Sequence, residues 1–263
     1  MKNNYLKTAQ KRFKFKSYLS ACVIVFACNN ATAAPTTNNN KIQLSNNAPT
    51  STTPFIAKYK VSRGSLSLGT AKRQLSQIKD DEYVFSYASD LSFLILSDER
   101  AETSQLKISD DKLVQPLKYR FKREGTGSNT QTILEFDPQT GKVKDVNLNR
   151  EVECEEEVHW LDQISYQLQL KLDLEQGKQS FSYYFIDDEK KEKHYEFVKV
   201  GKEKLTLPAG DLDTIKLVRQ RNNKKRVTEL WFAPELGNLL VRIRQTKNGD
   251  EQLDAQLKSA KFK

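Results

Sequence analysis

From Pro54 to the C-terminus the chain is a succession of short runs in which apolar and polar residues alternate, each closed by residues that favour turns. FIAKYKVSRGSLSLGTAKRQL sets Tyr59 and Val61 between polar neighbours, with Gly64 and Gly69 at turn or bulge points before a return strand. YVFSYASDLSFLIL and TSQLKIS follow, and Asp110-Asp111 precedes KLVQPLKYRF. NTQTILEF then runs into Asp137-Pro138-Gln139-Thr140-Gly141. A strand points successive side chains to opposite faces, so period-two alternation buries one face of a sheet. Turn residues at such short spacing leave room only for hairpins. The pattern therefore predicts an antiparallel meander.

The second half continues it. QSFSYYFI and KHYEFVKV flank DDEKKE, while KEKLTL and DTIKLVRQ flank Pro208-Ala209-Gly210-Asp211. VTELWF and LLVRIRQ flank APELGN, where Pro234 withholds a backbone donor and Gly237 or Asn238 supplies a left-handed residue. EQLDAQLKSAKF closes the chain after Asn248-Gly249. HWLDQISYQLQLKLDLEQGK is the exception: Leu161, Ile164, Leu168 and Leu172 fall at helical spacing, Asp162 can cap the start, and Gly177 would stop it. The expected fold is mainly β, a meander curved into an open barrel or half-barrel with one amphipathic helix over about 161–175 against the sheet.

Before this domain the chain changes character. Residues 1–16 carry six basic residues and no acidic one, residues 18–27 (YLSACVIVFA) are apolar, and Ala31-Thr32-Ala33 offers a small-x-small cleavage site. That is the order of a secretory signal peptide over residues 1–33, too short in its apolar part to span a bilayer. Periplasmic export is the expected localisation. Cleavage after Ala33 is preferred to lipidation at Cys28, because Phe26 is bulky for a lipoprotein signal; a membrane tether follows only if Cys28 is lipidated. Residues 34–53 are Asn-, Thr- and Pro-rich and read as a disordered tether, leaving 54–263 as one β-rich domain. Six of the +9 formal charges lie in the signal segment and the rest are mixed in sign, so nucleic acid is not an expected partner.

Catalytic patterns are scarce. The sequence has two histidines and no nucleophile-elbow, zincin, P-loop or dinucleotide motif. Glu155, Glu157 and His159 beside Cys154 would share one face if extended, but an acidic loop explains them better. Asp80-Asp81-Glu82, Asp110-Asp111 and Asp187-Asp188-Glu189 fall where turns are expected. No catalytic residue, metal ligand or cofactor is assigned. The aromatic residues invite more: in strands they either pack a core or line a ligand cavity in a curved sheet, and Tyr119, Phe181, Tyr183, Phe185 and Trp231 are the candidate lining.

Two segments carry a resemblance, Gly201-Lys202-Glu203-Lys204-Leu205-Thr206-Leu207-Pro208-Ala209-Gly210 and the stretch from Trp231 to Arg242. Leu68-Gly69-Thr70-Ala71, Val114-Gln115-Pro116-Leu117-Lys118-Tyr119 and Asp162-Gln163-Ile164-Ser165 add to it. Residues 55–262 resemble the bacterial family known as domain of unknown function 3108, which implies an exported, mostly β protein without assigned activity. The residues carrying the resemblance, Gly201, Glu203, Pro208, Gly210, Trp231, Pro234 and Gly237, are read as structural. Two departures are Leu239-Leu240, where the family often has a second proline, and the added tether. The expected function is non-enzymatic binding of an envelope amphiphile or a protein partner. A scaffolding protein with a filled core and a carboxylate-based hydrolase of an envelope polymer are the alternatives.

Overall fold

A computed structural model describes residues 42–44, 47–155, 158–223 and 225–263. The expected signal segment, Cys28 and the first part of the expected tether lie outside the described residues. The first eight strands are β1 (Phe55–Arg63), β2 (Leu66–Gln77), β3 (Glu82–Phe93), β4 (Leu96–Ile108), β5 (Val114–Gly125), β6 (Thr130–Phe136), β7 (Val143–Asp145) and β8 (Arg150–Glu151). The short β9 (Leu161–Asp162) leads into helix α1 (Ser165–Glu175). After it come β10 (Ser180–Ile186), β11 (Glu192–Leu207), β12 (Gly210–Gln220), β13 (Arg226–Ala233), β14 (Leu239–Lys247) and β15 (Asp250–Phe262).

All fifteen strands form one sheet in the order β8 to β1, then β15 down to β9. Two meanders are thus joined where β1 pairs antiparallel with β15, Phe55 opposite Phe262. The sheet is rolled but not closed, and α1 packs against β5 on one flank and β9 and β10 on the other. The expected meander is what folds, with one exception: β9 pairs parallel to β10, through Leu161 and Phe185.

The helix differs from expectation in two ways. It begins at Ser165, because Leu161 and Asp162 are drawn into the sheet. Asp162 still organises the start, its Oδ1 accepting the amides of Ile164 (3.0 Å) and Ser165 (2.8 Å). It is also not amphipathic: every residue from Leu168 to Leu174 is buried. Enclosed by sheet, its polar residues need internal partners. Gln169 Oε1 accepts the Val114 amide and its Nε2 donates to the Lys112 carbonyl and to Asp173. Asp173 also accepts from Lys178 and the Tyr183 hydroxyl. Lys171 has no such partner; its Nζ stands 4.6 Å from the Phe55 ring centroid, and burial pulls its pKa down to about 7.

The end of the expected tether meets the domain at Pro49 and Ser51, which are buried, while Asn47, Ala48 and Thr50 are exposed. Ser51 is fully buried; its hydroxyl donates to the carbonyls of Lys171 and Gly237, and its amide donates to Glu175. Small polar residues that look like linker chemistry here satisfy the helix and the turn 234–238 beneath them. That turn is a 3₁₀ turn followed by Gly237 and Asn238, both at positive φ (58° and 53°). The turn also needs glycine for space, since a Cβ at Gly237 would stand 2.3 Å from the Thr50 carbonyl oxygen.

Candidate functional site

The rolled sheet leaves a cavity of about 640 Å³ between its concave face and α1. The volume is in the range of small-molecule sites. Its floor is aromatic and aliphatic. Tyr166 on α1 stacks on Phe185 at 4.7 Å and meets Tyr195 edge-on at 5.6 Å, with Phe197 at 6.3 Å. Leu170, Leu230, Phe232 and Leu240 continue that surface. Phe185 faces inward as strand alternation predicts, with the half-exposed Tyr184 pointing to the other face.

Beside this surface the cavity is cationic. Arg73, Arg100, Arg219, Arg221, Arg226 and Lys193 all line it, and Arg100 and Arg226, exposed, mark its mouth. Several arginines, Arg100 of the lining among them, have carboxylate partners: Arg100 and Arg123 share Asp98, Arg242 takes Asp254, and Arg244 takes Glu251. Among the described residues, Arg73, Arg219, Arg221 and Arg226 have none. Arg73 donates to Gln167, and Arg221 donates to the Thr228 hydroxyl at 3.2 Å. The Arg219 guanidinium lies 3.0 Å from the Tyr195 ring centroid. The Nε atoms of Arg219 and Arg221 are buried without a partner. Burial and the neighbouring Arg219 both pull the Arg221 pKa down, as expected of like charges held together.

Glu102 is the one carboxylate among the described lining residues. Burial pushes its pKa up to about 7; the Tyr119 hydroxyl, donating to it at 2.7 Å, opposes the rise, and Asp162 adds to it. Asp162 is itself raised by burial, but its oxygens are occupied by Ser104 and the helix-start amides.

The five aromatics expected to line a cavity are divided by the structure. Phe185 lines it. Tyr119 lies one bond behind, holding Glu102. Phe181 and Tyr183 are buried, with Tyr183 anchored to the helix through Asp173. Trp231 is on the other face of the sheet, because Leu230 and Phe232 take the inward positions of β13. It is nevertheless only 2 % exposed. Its neighbours across the strands, Lys216 and Arg242, lie over its ring at 4.8 and 4.9 Å, and its Nε1–H donates to Glu203 Oε1 at 2.7 Å.

The other residues singled out from the sequence have structural places. Gly201 sits at a bulge in β11, which lets one sixteen-residue strand replace two shorter ones. Pro208 and Ala209 form a two-residue loop ahead of Gly210. His159 meets the Val114 carbonyl at 2.8 Å; Glu157 lies outside the described residues. Burial pushes the Cys154 thiol up, away from reactivity.

The cationic mouth was legible in one respect. Leu217, Arg219 and Arg221 alternate on one face of DTIKLVRQR, so the phase that puts Leu217 in the core also puts the two arginines inside. Treating the charges outside the signal segment as mixed in sign hid this.

A rolled, unclosed antiparallel sheet around one helix, enclosing a polar-mouthed cavity, defines a β-barrel-like protein. Residues 58–256 match the family described as protein of unknown function (DUF3108), and the chain belongs to that family. The crystal structure of a beta-barrel-like protein of domain of unknown function DUF1849 from Brucella abortus is similar in fold. Its TM-score is 0.53 at 8 % identity, over 80 % of this chain and 98 % of that one. Aeromonas veronii immune modulator A aligns over 81 % of this chain and 77 % of its own, at 10 % identity, but its TM-score of 0.22 carries no argument. No curated protein matches the chain significantly.

Proposed function

We propose that this protein binds an anionic amphiphile inside the rolled sheet. The observation that supports this most directly is the pairing of an aromatic and aliphatic floor with arginines that have no carboxylate partner. Guanidinium nitrogens buried without an acceptor, as the Nε atoms of Arg219 and Arg221 are, are costly, and a carboxylate or phosphate headgroup would supply the missing acceptors while its chain covers the floor. Binding would make a non-enzymatic carrier or receptor in the cell envelope, consistent with the export signal expected in the sequence. A filled-core scaffold is less well supported, because it gives this cavity no role. The two-carboxylate hydrolase has only Glu102 among the described lining residues.

The test is titration of the purified protein with a fluorescent fatty acid and with a neutral analogue of equal chain length. Fatty acid should bind, and Arg219→Gln with Arg221→Gln should weaken it by about tenfold or more while sparing the neutral analogue. Absence of fatty-acid binding, or equal loss for both ligands, would refute the reading.

A further inference from the structure

Four hairpins in this sheet have two-residue loops, and three of them use residues suited to the job. β1 and β2 are joined by Gly64-Ser65, β11 and β12 by Pro208-Ala209, and β14 and β15 by Asn248-Gly249. The fourth, between β3 and β4, is Leu94-Ile95, closed by the pair Phe93 and Leu96. Leu94 adopts φ of 55°, a left-handed conformation that favours glycine at this position of a hairpin loop. Leu94 is 87 % exposed and Ile95 94 %. Leu96 is also exposed, and carrying the Gly69–Leu91 register on by three residues brings the exposed Leu66 level with Leu94. A bulky apolar pair in a strained, solvent-facing loop is disfavoured by backbone and by hydration alike.

The position of this tip is informative. β15 runs antiparallel to β1, β14 to β15 and β13 to β14, so the Asn248-Gly249 turn and the β12–β13 connection lie at the end where β1 meets β2. β3 runs antiparallel to β2, which places Leu94-Ile95 at that end as well. Arg221 and Arg226 of the cavity mouth, together with Lys225 and Lys247, flank the β12–β13 connection there. Of the carboxylates at this end, Asp98 and Glu251 are paired with arginine, while Asp90 and Glu99, opposite each other on the tip hairpin, are exposed without a cation partner among the described residues. Helix α1 and residues 47–53 cover the 234–238 turn at the other end.

We infer that the Leu94-Ile95 hairpin tip inserts into a lipid bilayer containing anionic headgroups and turns the cavity mouth toward it. A protruding pair of aliphatic side chains fits a fluid hydrocarbon phase, and the unpaired cations at the β12–β13 connection, at the same end of the sheet, fit anionic headgroups. The insertion stands on the tip alone; the view that it brings the cavity to its ligand's source rests on the function proposed above.

The experiment is flotation of the full chain with vesicles of phosphatidylcholine and phosphatidylglycerol. The comparison variant is Leu94→Gly with Ile95→Ser, which suits the loop better, so its melting temperature should be unchanged or raised. Wild type should float with the vesicles, and the variant's partitioning should fall by at least about tenfold. Ile95→Trp should shift its fluorescence to the blue on adding vesicles. Wild type that stays behind, a variant that floats equally, or a tryptophan that does not respond would overturn the inference. Fatty-acid binding by the Gly/Ser variant in free solution separates this outcome from failure of the cavity, because it should be unchanged.

Discussion

Lys171 lies in the middle of a helix enclosed by sheet, 4 % exposed, with its ammonium against the Phe55 ring and no hydrogen-bond acceptor. Burial lowers its pKa from 10.5 to about 7, and the charge of Glu175 only partly resists. Between those two pH values the unfolded chain holds a proton that the folded chain has released. Stability must then rise with pH across this window, at about 1.4 kcal/mol per pH unit, and the gain is fully lost below pH 7. From pH 7 to 9.5 the rise is about 3 kcal/mol. The upper limit is set by Tyr59, whose buried hydroxyl donates to the Leu240 carbonyl and whose pKa is raised by burial to about 12. Above pH 10 the unfolded tyrosine ionises first and stability falls again. Lys171→Met keeps the length of the stem and removes the amine. Urea denaturation at intervals from pH 7 to 9.5 should show a rising midpoint for wild type and a flat one for the variant. The variant should also be the more stable at pH 7, by about 2 kcal/mol or more. Parallel profiles would show that Lys171 reaches solvent or an anion in the folded state, and the argument from burial would fail.

Glu102 should produce the opposite limb. Its pKa rises from 4.5 to about 7 on folding, so the folded chain holds the extra proton and stability falls by about 3 kcal/mol as pH climbs between them. Glu102→Gln should flatten that limb in the same urea series while leaving the alkaline one intact. Trp231→Phe removes the indole donor to Glu203 and weakens contact with Lys216 and Arg242, and should cost about 1–3 kcal/mol without altering ligand binding, since Trp231 lies outside the cavity. Gly237→Ala would drive a methyl into the Thr50 carbonyl as well as strain φ, and should destabilise by more than about 2 kcal/mol. Limited proteolysis should then cut within 47–53, which wild type should resist.

Much of the architecture was legible because alternation is a backbone property. Leu253, Ala255 and Leu257 alternate with Asp254, Gln256 and Lys258 exactly as a strand requires, and they form part of β15.

 The β3–β4 turn was hidden for the converse reason. Phe93-Leu94-Ile95-Leu96 contains no Gly, Asn or Pro, so local chemistry marks a strand where the chain reverses. Helical spacing located α1, but its burial on all sides depends on sheet that arrives from both ends of the chain, and no local pattern carries that. The same holds for the cavity: Arg73, Glu102, Tyr166 and Arg219 come from four separate elements, and only the rolling of the sheet makes them neighbours. Trp231 was misplaced because apolar residues leave β13 on both faces, and the choice between them is made by Lys216 and Arg242 on adjacent strands.

The seam between β1 and β15 has a consequence for how the molecule assembles. Nearly every other strand pair joins neighbours along the chain and can zip from its own turn on the microsecond scale typical of hairpins. The seam instead joins the first strand to the last, so Phe55 waits for Phe262 to be delivered. Closing so long a loop carries an entropic cost that the local hairpins do not, which makes the seam the expected late, rate-limiting contact. Until it forms, each half presents an unpaired edge at its centre-to-be, open to the matching edge of another copy. Conversely, a circular permutant that links the two ends and opens the chain at a surface turn would make the slowest pairing a local one, and should fold faster at unchanged topology.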